Sequence, residues 1–223
     1  MVNVDRRRID QFLGKPCETA EMLKRFLTRL PIGLLCLAGV SASGPQTAVV
    51  QVFDQRGLPV EGAVIEIAPP PGSTRPLNFP WRNAMAQRNQ TFVPGTLIVP
   101  QGSTVAFPNL DTVRHSIYSF SKPARFQIDL YSRDQTRSQR FPITGTVALG
   151  CNIHDKMRGY IRVVDTPYAA ATDLNGRGSI DGLAPGTYRV TVWHPRLRGS
   201  ENEAVKTLTI APGSPARLTV ELR

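Results

Sequence analysis

The chain of 223 residues reads as an all-β protein built from sandwiches, on three observations. Short runs of alternating or β-branched residues recur along it, turn signals separate nearly all of them, and 18 Gly and 19 Pro are spread without a repeat, which disfavours long helices. With 41% hydrophobic and 20% charged residues, the composition is that of an ordinary globular protein rather than a disordered one. The length suits one large domain or two small ones, at about 150 residues each. Three Cys are too few for a disulfide scaffold.

Taken in order, strands are expected at 48–53, 63–68, 96–99, 104–107, 116–120, 139–143, 146–149, 160–164, 188–193, 205–210 and 216–222. Turns punctuate them at Arg56-Gly57, Pro100-Gln101-Gly102, Asn175-Gly176, Pro185-Gly186 and Pro212-Gly213, where Gly tolerates a backbone other residues avoid. Residues 83–90 read as a short helix or an irregular loop.

The run from Val50 to Val64, with Asp54-Gln55-Arg56-Gly57 at its turn, resembles the first hairpin of carboxypeptidase-regulatory, prealbumin-like sandwiches. Residues 172–180 and 182–188 resemble the later strands of that family. About a hundred residues separate the two pieces here, which predicts a discontinuous sandwich, 46–70 plus 166–223, with a second β-domain inserted at 75–165. The competing reading makes 46–70 an extra hairpin of one larger sandwich.

At the N-terminus, MLKRFLTRL from Met22, the apolar stretch PIGLLCLAGV and Ser41-Ala42-Ser43 have the basic, apolar and small-residue zones of a secretory signal. Residues 1–42 are therefore expected to be an extension and a signal peptide, with translation starting at Met22 and cleavage after Ala42. The apolar stretch is short for a membrane span, so no stable membrane insertion is expected after cleavage. The competing reading is a buried helix. Removing 1–42 takes seven basic and four acidic residues from totals of 27 and 17 and leaves a charge of +7 and a single thiol, Cys151. The expected location is periplasmic or secreted.

That thiol sits in Cys151-Asn152-Ile153-His154-Asp155-Lys156-Met157, a thiolate, an imidazole and a thioether within seven residues. A second imidazole, His115, lies upstream, just after Asn109-Leu110-Asp111. A thiolate, two imidazoles and a weak axial thioether form the ligand set of a type 1 copper centre. Cys151 follows one strand, the tight loop carries His154 and Met157, and His115 comes from the start of another strand. Zinc competes for the same donors, but a structural zinc site wants four strong ligands. His194 belongs to the other sandwich and reads as a packing residue at a strand end.

From about Phe92 to Val164 the chain resembles a cupredoxin, with the short Cys-x2-His-x2-Met loop of amicyanin-like members. Phe107-Pro108-Asn109, Tyr118-Ser119-Phe120-Ser121, the 151–157 loop and Trp193-His194-Pro195 resemble exported bacterial proteins labelled methylamine-utilisation or plastocyanin-like. The resemblance implies a Greek-key β-sandwich and one type 1 copper held by His115, Cys151, His154 and Met157. Around these ligands stand Ser116, Asn109 and Asn152. Many cupredoxins carry Asn directly after the first histidine. Ser116 stands there in this chain, and its hydroxyl is a candidate donor to the thiolate, so the second shell that tunes the redox potential differs.

The function these readings imply is one-electron transfer without substrate turnover. Arg114, Lys156 and Arg158 flank the ligands and suggest docking to an acidic redox partner, such as a c-type cytochrome or a dehydrogenase. The second reading, from another class, is a copper-binding or structural envelope module whose prealbumin-like sandwich attaches to protein or carbohydrate. A third pairs Cys151 with a histidine as nucleophile and base, without the helix N-terminus that usually activates such a thiol. A nucleic-acid partner is not expected despite the net charge of +10, because the basic residues are scattered and lack a recognition helix or base-stacking aromatics.

Overall fold

Alternation of buried and exposed residues makes nearly every element a strand. The first part of the chain forms β1 (Gln46–Asp54), β2 (Val64–Ile67), β3 (Ala86–Arg88), β4 (Thr91–Val93), β5 (Thr96–Pro100) and β6 (Thr104–Pro108). The middle contributes β7 (His115–Ser121), β8 (Ala124–Tyr131), β9 (Thr136–Arg140), β10 (Gly145–Gly150) and β11 (Arg158–Val164). The last part adds β12 (Ala169–Ala171), β13 (Arg177–Leu183), β14 (Gly186–Trp193), β15 (Glu203–Ile210) and β16 (Ala216–Val220). This computed structural model describes Gly44 and residues 46–223, all within one compact unit. The expected signal segment, with Met22, Cys17, Cys36 and Ala42, lies outside the described residues. None of the helices described is long and apolar enough to cross a membrane.

Two sheets enclose the first core. One has the order β13-β1-β16, with β16 parallel to β1, and the other the order β12-β2-β14-β15. β1 and β2 thus lie between strands from the far end of the chain, and Val50, Val52, Ile65 and Ile67 pack with Ile180, Val190, Val192 and Leu218. Each fully buried branched side chain of this kind contributes about 1.5–3 kcal/mol. Asp54 shapes the β1 turn. Its carboxylate accepts the backbone N–H of Arg56 and of Leu58, each at 2.9 Å. Beside the same turn Gly176 lies at φ +70°, where a Cβ would meet the Val52 carbonyl at 2.5 Å, so a side chain is excluded.

The second core lies between a five-stranded sheet, β5-β11-β10-β7-β8, and the smaller pairs β6-β9 and β3-β4. Phe107, Ile117, Tyr131, Phe141, Val147, Ile161, Cys151 and Met157 are buried together there. Between the two cores, Val64, Ile98, Val164, Ala169 and Trp193 form a small third cluster. Arg162 of β11 crosses the same seam. It is paired with Glu66 of β2 and, at 2.6 Å, with Glu203 of β15, and it donates to the Thr146 hydroxyl at 2.9 Å.

Three local expectations are corrected. Residues 83–90 contain no helix; after the irregular 83–85 they form β3 (Ala86–Arg88), which pairs with β4 through the two-residue turn Asn89-Gln90. Both turn residues have positive φ, 52° and 56°, the geometry that two-residue hairpins favour because it follows the twist of the strands. The strand expected at 139–143 lies instead at Thr136–Arg140. Pro142 has no N–H to offer a ladder, and Ile143 is exposed. β8, absent from the expectation, alternates Ala124, Phe126 and Ile128 with Arg125, Gln127 and Asp129, a plain period-two pattern.

Candidate metal centre

Cys151 directly follows β10, and His115 is the first residue of β7. The two strands pair at Gly150 and Tyr118, and this brings residues 36 apart in sequence to one place. Gly150 is needed for that approach, since a Cβ there would lie 2.5 Å from the Tyr118 ring. The loop from β10 to β11 is closed by the Met157 N–H donating to the His154 carbonyl at 2.8 Å, a tight turn that holds His154 beside Cys151.

The Cys151 Sγ lies 3.8 Å from His115 Nδ1 and 3.6 Å from His154 Nδ1. All three donor atoms fall within 4.8 Å of one another, so the group could hold a metal ion. Metal bonds of about 2.0–2.3 Å at tetrahedral to trigonal angles separate sulfur and nitrogen donors by about 3.5–3.7 Å, so the donor set fits an ion. Cys151 and His115 are buried, and His154 is half-buried. Cys151 is a free thiol. Met157 is buried in the same core as Cys151.

Hydrogen bonds orient these donors. The His115 Nε2 lies 2.7 Å from the Asp111 carboxylate. With its proton on Nε2, the imidazole presents the Nδ1 lone pair to the thiol, the arrangement in which a carboxylate fixes a ligand's tautomer. Asp111 is itself held, accepting the N–H of Asn89 at 2.5 Å and of Gln90 at 2.9 Å from the β3-β4 turn. These bonds lower its pKa against the opposing effect of burial, the largest single influence. Asn109, fully buried, donates to the carbonyls of Val113 and Tyr131 and accepts the Asp111 N–H, which fixes the approach to His115. Ser116 Oγ accepts the Asn152 N–H at 3.0 Å and lies 3.8 Å from Cys151 Sγ. Its own proton is then available to the sulfur, and one hydroxyl ties the two ligand loops. Tyr131 donates to the Phe107 carbonyl at 2.9 Å and accepts from the Gln87 amide. Burial pushes its pKa up to about 12, so it stays a neutral wall of the site.

Two contributors were not identified as such from sequence, Asp111 as the partner of His115 and the hairpin turn that clamps Asp111. The four-residue spacing from Asp111 to His115 was the available signal. Arg114, Lys156 and Arg158 are all exposed, and so are Leu110, Val113 and Ile153 on the two ligand loops. His194 stands apart from the cluster. Its Nδ1 accepts the Arg196 N–H at 3.2 Å, and burial, then Arg196, lowers its pKa.

Comparison with known proteins gives three findings. Residues 145–218 match the family model described as polysaccharide lyase family 4, domain II. None of the curated proteins matches. Among solved structures, the chain is similar to the reduced Cu(I) form of an amicyanin variant at pH 4, with 23% identity, a TM-score of 0.35, and coverage of 36% of this chain and 80% of that one. It is also similar to a purple cupredoxin from Nitrosopumilus maritimus, with 22% identity, a TM-score of 0.34, and coverage of 36% of this chain and 98% of that one.

Proposed function

We propose that the protein is an exported type 1 copper protein that transfers single electrons, with copper held by His115, Cys151, His154 and Met157. The observation that carries the reading is the convergence of one thiol and two imidazoles at metal-ligand spacing, with Cys151 and His115 buried. A bound copper ion supplies a one-electron couple that thiolate, imidazole and thioether donors suit. The chain's own residues do the rest. Asp111 keeps the His115 ring in one tautomer and orientation. Ser116 shares the charge of the thiolate and joins the loops. Phe107, Ile117 and Tyr131 exclude water, and ligands carried at the ends of paired strands resist rearrangement when the charge changes.

His154, the less buried imidazole, is the proposed route for the electron to the surface. Around it, the exposed Leu110, Val113 and Ile153 offer an apolar contact, and Arg114, Lys156 and Arg158 favour an acidic redox partner such as a c-type cytochrome or dehydrogenase. Association with it should slow as salt rises.

Loading the purified protein with Cu(II) should give an intense visible band from thiolate-to-metal charge transfer that bleaches on reduction. Cys151→Ser should lose that band, since a hydroxyl stays protonated. A colourless wild-type protein, or a variant that keeps the band, refutes the assignment. Zinc would give no colour.

A second reading is favoured by the family-model match over residues 145–218. In it the sandwich that contains β12–β16 is an attachment module for protein or carbohydrate surfaces. The two readings are compatible in one chain.

A further inference from the structure

Away from the metal centre lies a groove of about 540 Å³, a size usual for small-ligand sites. It opens where three edge strands converge, β5, β12 and β13, and Trp81 and Arg82 of the preceding connection line it. Trp81 is 38% exposed yet fixed from two directions. Its indole N–H donates to the Ile98 carbonyl at 2.8 Å, and its ring stacks on Phe79 at 4.7 Å and 7°. Phe79 in turn packs against the third core cluster. The indole has no other donor, so what it can offer a ligand is its ring surface.

Arg82 and Arg177 also line the groove, and among the described residues neither side chain makes an ion pair. Asp173 commits one carboxylate oxygen to the N–H groups of Asn175 and Arg177, at 2.8 and 2.9 Å. The backbone N–H of Arg177 first, then that of Asn175, the charge of Arg177 and the Asn175 side chain favour its ionised form against burial, so it stands in the groove as a carboxylate acceptor. Thr96 and Ser179 add hydroxyls.

We infer that this groove binds an acidic saccharide, stacked on Trp81, with its carboxylate taken by Arg82 and Arg177 and its hydroxyls by Asp173, Thr96 and Ser179. The inference rests on the attachment reading and not on the metal. Each part has its counterpart in the ligand. The apolar face of a sugar ring matches a fixed indole, a carboxylate matches the planar guanidinium fork, and sugar hydroxyls need an acceptor as well as donors. An acidic peptide would use the cations but leave the ring unused, and at Ile98 the backbone acceptor it would pair with is already taken by Trp81.

The test is calorimetric titration of the full chain with a galacturonic acid trimer, a neutral glucose trimer and a glutamate-rich peptide, with Trp fluorescence followed in parallel. The uronate trimer should bind in preference to both others and change the fluorescence. Arg177→Gln and Arg82→Gln should each weaken it by about tenfold, the effect of losing one charge-assisted contact. Trp81→Ala should abolish binding, whereas Trp81→Phe should retain it and lose the fluorescence change, because the remaining Trp193 is buried. Preference for the peptide, equal binding of the neutral trimer, or undiminished binding by the arginine variants overturns the inference. Retention of wild type and variants alike on a polysaccharide gel would reject the groove and leave the attachment reading standing; no retention of wild type on any gel would reject both the groove and attachment to carbohydrate.

Discussion

The two cores treat their buried polar groups differently. In the first, the buried polar side chains serve the backbone. Asp54 caps the β1 turn, Thr172 joins the Ala63 N–H to the Val60 carbonyl, and Thr166 donates to Ile67. In the second, two of the bonded chains end on the atoms of the candidate metal centre, from Asn89 and Gln90 through Asp111 to His115, and from Asn152 through Ser116 to Cys151. Buried polar groups must be satisfied wherever they lie. In the second core Asp111 and Ser116 are anchored by backbone N–H groups on one side and turn their remaining bonding capacity to His115 and Cys151 on the other, which holds those atoms in place.

The largest expected effect tests the purely structural side. Ile65→Ala, in the first core, should cost about 2–5 kcal/mol in denaturant unfolding, as cavity-forming truncations do, while the folded fraction keeps its metal affinity. A parallel loss of affinity would show that the cores are not separate in role. Next, Asp111→Asn removes the charge that orients His115 and should weaken metal binding about 10–100-fold, read by competition with a chelator of known affinity; its amide nitrogen must also face one of the two turn N–H groups, which should cost the apo-protein about 1–3 kcal/mol. An unchanged affinity would reduce Asp111 to a turn clamp.

Ser116→Ala leaves the Asn152 N–H without its acceptor and the thiolate without a donor. It should cost about 1 kcal/mol of stability and lower the reduction potential of the copper form, because unshared thiolate charge favours the oxidised ion; voltammetry reads the sign. The smallest effect belongs to Asp54, whose pKa is lowered first by the Leu58 N–H and then by Arg56, against burial. A folded-state pKa below the unfolded value gives stability that is present above about pH 4 and lost as pH falls toward the folded pKa. Asp54→Asn should flatten that acid limb in a pH series of thermal melts without moving any metal-dependent signal.

What could be read from sequence follows from range. Cys151, His154 and Met157 share a seven-residue loop, so their proximity needs no tertiary knowledge. Most strands were legible because burial on one face writes a period of two into them. The two-residue turn at Asn89-Gln90 escaped because its neighbouring strands are three residues each, too short for a period to show. Pro142 misled in the other direction, since the apolar run around it looks like a strand until its missing N–H is considered.

The residues alone thus determined the all-β class, the donor types and the local loop. Only the folded chain decided that β7 meets β10 at Gly150, which sets His115 against Cys151. It likewise decided that a hairpin turn 21 and 22 residues upstream lends its N–H groups to Asp111, and that Trp81 and Arg177 line one groove. Such contacts depend on strand order and register, which are settled by how whole faces bury against each other and leave no mark on neighbouring residues in the sequence.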